Sequence, residues 1–318
     1  MNKGYHILTD IFKFVGAILI IAIHTQPFDN QKILSFIVNI QLARLIVPLF
    51  FVFSSYYLFK KIHSTHTNRV YVLKNYIYNL IKIYLIACLL YTPLTIFINR
   101  DQLTIPLLLY KLFYNGLYYH LWFFLALIYS TILCYVLINN QKKQTIPFLI
   151  CILFYIIGYL INVLNLDFLS FMGNGRDGIF YGLIYVYIGN ILSQTHIKHI
   201  KLSSLLLVLP YLLETWILYF LNIVNPLSAL FITLPIFILV LSALLLSNND
   251  YYFRNTWFHD VSLYMYIIHP FFSWILFAKT NFNNTLIFFI TTIITILLSS
   301  TIAYILHKFK RPKTYNYN

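Results

Sequence analysis

A histidine lies near the end of a long apolar stretch, DIFKFVGAILIIAIHTQP, at residues 10–27. Asp10 and Lys13 open this stretch, no further charged residue precedes His24, and Pro27 ends it. A run this apolar is expected to cross a lipid bilayer, where an ionisable side chain is costly and therefore indicates a functional site. The alternative interpretation places His24 at the membrane surface, bonded to water and lipid headgroups.

Further polar residues lie inside or beside apolar stretches along the rest of the chain. They are Arg44, His120, Trp122, Asp167, Arg176, Asp177, Glu214 and His269. Each has a structural alternative: an arginine can pair with a carboxylate or extend to the interface, and His269 can bond a backbone carbonyl freed by Pro270. Taken together, most of them fall in the outer half of the predicted membrane, and they predict a polar cavity open to the outside.

The chemistry available to such a cavity is limited. The chain has no P-loop, HExxH or GxSxG motif, and the glycines of FMGNGRDGIF follow an apolar helix instead of a strand, which disfavours a phosphate loop. A histidine base beside an arginine suits deprotonation of a hydroxyl and stabilisation of an anionic intermediate, as in acyl transfer. The same groups suit a small zwitterion, with arginine on its carboxylate and glutamate on its amine. Cys88, Cys134 and Cys151 have no metal-like spacing, so no metal site is expected.

Composition indicates what positions these residues. The 318-residue chain is 60% hydrophobic and 9% charged, against about 25% charged residues in a soluble domain, which predicts an all-α integral membrane protein. Apolar runs predict ten transmembrane helices within a single domain over residues 1–318. Their predicted ranges are 7–27, 34–59, 76–98, 121–138, 146–163, 178–193, 204–220, 227–247, 261–279 and 285–307.

The distribution of basic residues predicts the orientation. With the N-terminus inside, fourteen Lys and Arg residues fall in inner segments and five in outer ones, so both termini are expected in the cytoplasm. The net charge of +14 is explained by this bias, and no basic stretch is arranged to follow a nucleic acid. The expected location is the bacterial cytoplasmic membrane, with the lipid bilayer as a partner.

Four ordered motifs resemble the acyltransferase-3 family of bacterial membrane O-acyltransferases. DIFKFVGAILIIAIH resembles its first helix, ARLIVPLFFVFSSYYLFKK its second, YYHLWFF its HLWF motif and SLYMYIIHP a motif near its C-terminus. The resemblance implies an enzyme that transfers an acyl group, usually acetyl from cytoplasmic acetyl-CoA, to a hydroxyl of an extracytoplasmic glycan or lipid-linked sugar. It assigns His24 as catalytic base. Asp10 and Arg44, at the family's first-helix acidic and second-helix arginine positions, are expected as further catalytic residues, and Lys13 takes the family's basic first-helix position.

The remaining residues complete the predicted site. Substrate contacts are expected from Lys13, His120, Trp122, Arg176, Asp177, Glu214 and His269. Lys60, Lys61, Arg69 and Lys74 are expected at the inner mouth, where they would attract the phosphates of coenzyme A or serve only to set the topology. No tightly bound cofactor is expected; acyl-CoA is the expected donor substrate.

The chain departs from the family at the start of its third helix. An R-x-x-R pair linked there to acyl-CoA use is replaced by Tyr76 and Asn79. The stretches IAIHTQPF, KIYLIACLLYTPLTIF and GRDGIFYGLIYVYIG also resemble the membrane half of the serine racemases of vancomycin-resistant bacteria, which is thought to handle serine uptake. Short stand-alone O-acetyltransferases share the HLWFF wording. Because membrane helices occupy these 318 residues, racemase activity is not expected in them, and amino-acid transport is the alternative function.

Overall fold

The computed structural model describes residues 7–64, 68–98, 104–140, 144–163, 178–195, 206–221, 231–247 and 257–310. Within these ranges all regular structure is helical. The α-helices are α1 (Ile7–Thr25), α2 (Lys32–Ser35), α3 (Ile46–Ser64), α4 (Arg69–Ile98), α5 (Ile105–Tyr110), α6 (Trp122–Asn139), α7 (Thr145–Val163), α8 (Leu183–Gln194), α9 (Leu209–Phe220), α10 (Leu234–Ser247), α11 (Trp257–Lys279) and α12 (Asn284–Lys310). Three π-helical segments (Phe36–Leu42, Lys111–Asn115 and Gly178–Gly182) and a 3-10 segment (Ala43–Leu45) adjoin them.

The lengths of these helices confirm the predicted class. In the described ranges, seven helical stretches are long and apolar enough to cross a bilayer, one of them running without interruption over residues 32–64. The stretch ending in α9 and the helix α10 are apolar but shorter. The protein is therefore an all-α, multi-pass membrane protein, whereas the number of ten spans and the cytoplasmic termini stay predictions.

Several boundaries differ from the sequence-based ranges, and two of them concern the region after α3. Helix α4 begins at Arg69, seven residues before the predicted start at 76, and the predicted 99–120 connection contains α5. Hydropathy places a boundary where polar residues begin, but lysine, arginine and asparagine at the end of a long helix do not stop it. Helix α4 therefore extends beyond its apolar part.

The chain forms two compact units, of which the first combines both ends of the sequence, residues 1–46 and 248–318. In this unit α11 packs against both α1 and α12. Its core combines three alanines with larger apolar side chains: Ala17, Ile21 and Ala22 from α1, Val261 and Met265 from α11, and Phe288 and Ala303 from α12. Small residues at this interface allow the helices to approach closely, which is how helices associate in lipid.

The second unit comprises residues 47–247. Helices α6, α7 and α8 pack on one another and around the π-helical segment Gly178–Gly182. Helix α8 approaches α3 closely at Gly189, where an added Cβ would lie 2.0 Å from Ser55 Oγ and 2.6 Å from the Val52 carbonyl oxygen of α3. Only glycine fits at this position, since a methyl group there would overlap the backbone of α3 as well as a side chain.

Candidate functional site

His24 occupies the last turn of α1, in the first unit. Helix α1 ends directly after it, because Gln26 and Phe28 both adopt left-handed conformations (φ 51° and 64°). The Phe28 amide donates to Thr285 Oγ1 at 2.9 Å, which ties this exit to the start of α12. A left-handed phenylalanine is strained and persists only where its surroundings hold it, as at many functional sites. The backbone around His24 is thus rigidly placed.

His269 of α11 faces His24. The two imidazole rings stack with centroids 5.4 Å apart and planes 25° from parallel. His269 is fully buried, whereas His24 is half-buried. The Nδ1 atom of His269 lies 3.0 Å from the Met265 carbonyl oxygen, one turn earlier in the helix. Since a carbonyl oxygen only accepts, Nδ1 carries the proton in this bond, and Nε2 of a neutral ring is left as an acceptor.

Arg44 lies in an irregular stretch of helix. The π-helical segment Phe36–Leu42 leads directly into the 3-10 turn Ala43–Leu45, and both contact α1. Asn39, which is almost fully buried, donates to the Pro27 carbonyl oxygen at 2.9 Å and so anchors the π-helical segment to the end of α1. π-Helical insertions and short 3-10 turns inside helices are frequent at functional sites. Arg44 itself is half-buried.

Asp10 and Lys13 form an ion pair near the start of α1. Lys13 Nζ lies 3.0 Å from Asp10 Oδ1, with the two side chains only 15% and 7% exposed. Lys13 Nζ also lies 3.4 Å from Nδ1 of His259, at the start of α11. Asp10 and His24 are fourteen residues apart, about 21 Å along an α-helix, so this pair cannot touch the histidine stack. Its position supports a structural role for Asp10, while the catalytic assignment of Asp10 stays a prediction.

His259, Asp260 and His307 are ionisable contacts that the sequence did not reveal. His307 Nε2 lies 2.7 Å from Asp260 Oδ2 and joins α12 to α11. His259 contacts α1 across 246 residues of chain. The adjacent residues His259 and Asp260 at the start of α11 stand out in the sequence as ionisable. Their partners could not be predicted, because no spacing rule relates residues so far apart in the chain.

In the second unit, His120 is almost fully buried among tyrosine rings. The centroid of its imidazole lies 4.8 Å from that of Tyr91, 5.8 Å from that of Tyr118 and 5.7 Å from that of Tyr119. The preceding turn requires glycine at Gly116, whose φ is 82° and whose added Cβ would lie 2.5 Å from the Trp122 amide nitrogen. Burial and aromatic packing give His120 a structural role. Its predicted contact with a substrate stays a prediction.

Glu214, predicted to bind substrate, caps a helix. Its carboxylate accepts from the Ile232 amide at 2.8 Å, from the Thr233 amide at 2.9 Å and from the Thr233 hydroxyl, just before α10 begins. Amide groups at a helix start lack partners within the helix and favour a negative charge. This arrangement by itself explains a half-buried glutamate in an apolar helix, so its role towards a substrate stays a prediction.

The remaining predicted residues lie elsewhere or outside the described ranges. Lys60 and Lys61 are exposed at the end of α3, and Arg69 and Lys74 are exposed in the first turns of α4. Trp122 begins α6, and its indole centroid is 6.1 Å from that of Tyr181. Arg176 and Asp177 lie outside the described residues. Over the described ranges, no three His, Cys, Asp or Glu side chains are grouped so as to hold a metal ion.

Comparison with known proteins shows relatives over most of the chain. The acyltransferase domain model named acyltransferase 3 matches residues 9–304. An amino-acid racemase of Enterococcus faecalis is 29% identical over 286 residues, covering 82% of this chain and 40% of the racemase. A serine/alanine racemase of Enterococcus gallinarum is 27% identical over 296 residues, covering 85% of this chain and 40% of that protein. The chain thus spans about two fifths of these relatives. No solved structure matches it significantly.

Proposed function

Since this chain belongs to the acyltransferase-3 family, we propose that it is a membrane O-acyltransferase in which His24 is the general base. The observation that carries this proposal is the stack of His24 on His269 at the end of α1. It supplies a half-buried imidazole, held in place by the strained exit from α1, on the helix that resembles the family's first motif.

In the proposed reaction, His24 takes the proton of an acceptor hydroxyl as its oxygen attacks the thioester carbonyl of the donor. The tetrahedral intermediate then collapses, the C–S bond breaks and the thiol of the donor leaves with a proton. While His24 holds a proton its ring is cationic and faces the π-system of a neutral His269, which is a favourable arrangement for a cation. Arg44 is proposed to stabilise the negative charge that develops on the oxygen.

The proposed donor is acyl-CoA, with acetyl as the expected acyl group, and the proposed acceptor is an envelope glycan or a lipid-linked sugar. Exposed Lys60, Lys61, Arg69 and Lys74 are proposed to attract the phosphates of coenzyme A. The expected location is the bacterial cytoplasmic membrane.

The test is donor turnover by the full chain in nanodiscs with radiolabelled acetyl-CoA. Wild-type protein is expected to release coenzyme A, and His24→Ala to lose a factor of about 10²–10⁴, the usual contribution of a general base. His307→Ala is the matched control, because it removes a histidine that pairs with Asp260. Undiminished turnover by His24→Ala would exclude the catalytic role.

Amino-acid transport is the second candidate function. It is favoured by Tyr76 and Asn79, which replace the basic pair linked to acyl-CoA use, and by relatives named as amino-acid racemases. It predicts uptake of labelled serine into proteoliposomes without an acylated product. Arg44→Gln is the informative variant for uptake, since Glu214 already caps α10 and its replacement would perturb the fold. Uptake without donor turnover would favour this candidate over the first.

A further inference from the structure

An apolar cavity of about 430 Å³ lies in the second unit, along one face of α4. Six residues of α4 between Leu85 and Ile96 form one wall, and Leu108, Leu112 and Leu117 form the other. The volume falls within the usual range for small-molecule sites, about 300–1,000 Å³. None of the lining side chains is charged.

Hydrogen bonds fix both walls. Tyr84 Oη donates to the Leu112 carbonyl oxygen at 2.6 Å, and Thr95 Oγ1 donates to the Leu117 carbonyl oxygen at 3.4 Å. Between them lies Pro93, which has no N–H for the Leu89 carbonyl oxygen and interrupts the regular packing of α4. The second wall is therefore held at two points along α4, and the space between them is part of the fold.

Water is a poor occupant of this space. The hydroxyl of Thr92 already donates to the Cys88 carbonyl oxygen at 2.8 Å, and that of Thr95 to Leu117. A stable internal water needs two to four polar partners, and native interiors rarely keep large empty voids. Leu85, Leu89 and Ile96 are 48%, 75% and 51% exposed, which in a membrane protein places the cavity beside lipid. Hydrocarbon is the occupant that this lining fits.

Two lysines adjoin the cavity. Residues 82, 85, 89, 92 and 96 follow the three- and four-residue spacing of one helix face, so Lys82 lies one turn before Leu85 on the cavity side of α4. Lys111 directly precedes Leu112 in the opposite wall. No carboxylate occurs in α4, in α5 or in the π-helical segment after α5. Among the described residues of these two walls, the charges are therefore positive and complement an anionic headgroup. We propose that the cavity binds one acyl chain of an anionic phospholipid, whose phosphate is held by Lys82 and Lys111.

Native mass spectrometry of the purified full chain tests this proposal. The protein is released from micelles containing equal amounts of phosphatidylglycerol and phosphatidylcholine with identical acyl chains, and bound lipid is counted for each. Wild-type protein is expected to keep one phosphatidylglycerol. Thr92→Phe, which fills the cavity, is expected to lower that fraction about tenfold, since the chain loses its apolar burial. The matched control is Thr301→Phe, an exposed position on α12 whose hydroxyl makes the same bond to the carbonyl four residues earlier.

The headgroup contact has its own variant. Lys82→Met keeps the apolar stem and is expected to reduce the preference for phosphatidylglycerol over phosphatidylcholine about threefold to fivefold, as for an exposed charge pair. This residue is exposed, so its replacement should leave folding intact even if Thr92→Phe unfolds. Equal binding of the two lipids by wild-type protein, unchanged binding by Thr92→Phe with an unchanged melting temperature, or a second copy of the chain in place of lipid would each overturn the proposal.

Discussion

The ion pair between Asp10 and Lys13 gives a sharp test of the first unit. Asp10→Asn keeps the shape of the side chain but removes its charge, leaving the Lys13 ammonium beside the ring of His259 in a largely buried position. Removing one partner of a buried pair costs about 3–5 kcal/mol. Lys13 is 15% exposed and can extend its charge toward the headgroups, which lowers the expected loss to about 2–3 kcal/mol. At about 2–4 °C per kcal/mol, the melting temperature should fall by roughly 4–12 °C.

Thermal unfolding in one detergent, followed by circular dichroism, measures this loss. Asp10→Asn combined with Lys13→Met removes both charges, and it should recover most of the stability, because a neutral pair leaves no buried ion uncompensated. The surface control is His307→Ala, which breaks a pair whose side chains are 51% and 28% exposed and should cost at most about 1 kcal/mol. If Asp10→Asn melts within 1–2 °C of the wild type, roughly the effect expected of a surface pair, the pair does not stabilise the fold as reasoned.

Three further predictions concern other contacts. Gly189→Ala should destabilise the protein by about 1–3 kcal/mol or more, because the new methyl overlaps the α3 backbone. An unchanged melting temperature would show that α3 and α8 are not in such close contact. Glu214→Gln should lower the free energy of unfolding by about 1.5–3 kcal/mol, since an amide replaces a charged acceptor at the start of α10. Equal thermal stability of this variant and the wild type would contradict the capping role. His269→Phe keeps an aromatic ring against His24 but loses the Nδ1 bond to Met265. Coenzyme A release should therefore fall about tenfold or more, as for a positioning group, while the stability stays near normal. Full activity of this variant would show that His269 has no role in catalysis.

The sequence predicted the class of the fold better than it predicted which side chains contact one another. Apolar runs located the helices because lipid requires each span to satisfy its backbone internally, and the four ordered motifs identified the family that the comparison confirms. His24 and His269 were both selected as unusual, but their pairing depends on the packing of α1 against α11, which hydropathy does not encode. Glu214 shows the opposite case: a carboxylate in an apolar helix attracted a functional interpretation, while its bonds to the residues just before α10 supply a structural reason for it.

The π-helical segment before Arg44 also has a consequence for angular register. An α-helix turns by about 100° per residue, and a π-helical insertion adds a residue to a turn, which shifts the phase of everything that follows relative to the turns before it. Phe36–Leu42 makes this shift immediately before the 3-10 turn that carries Arg44. Deleting one residue there would restore the α-helical phase and redirect the guanidinium by roughly a quarter turn without changing its chemistry. The direction of Arg44 is therefore set by how many residues precede it in the helix, independently of which apolar residues they are.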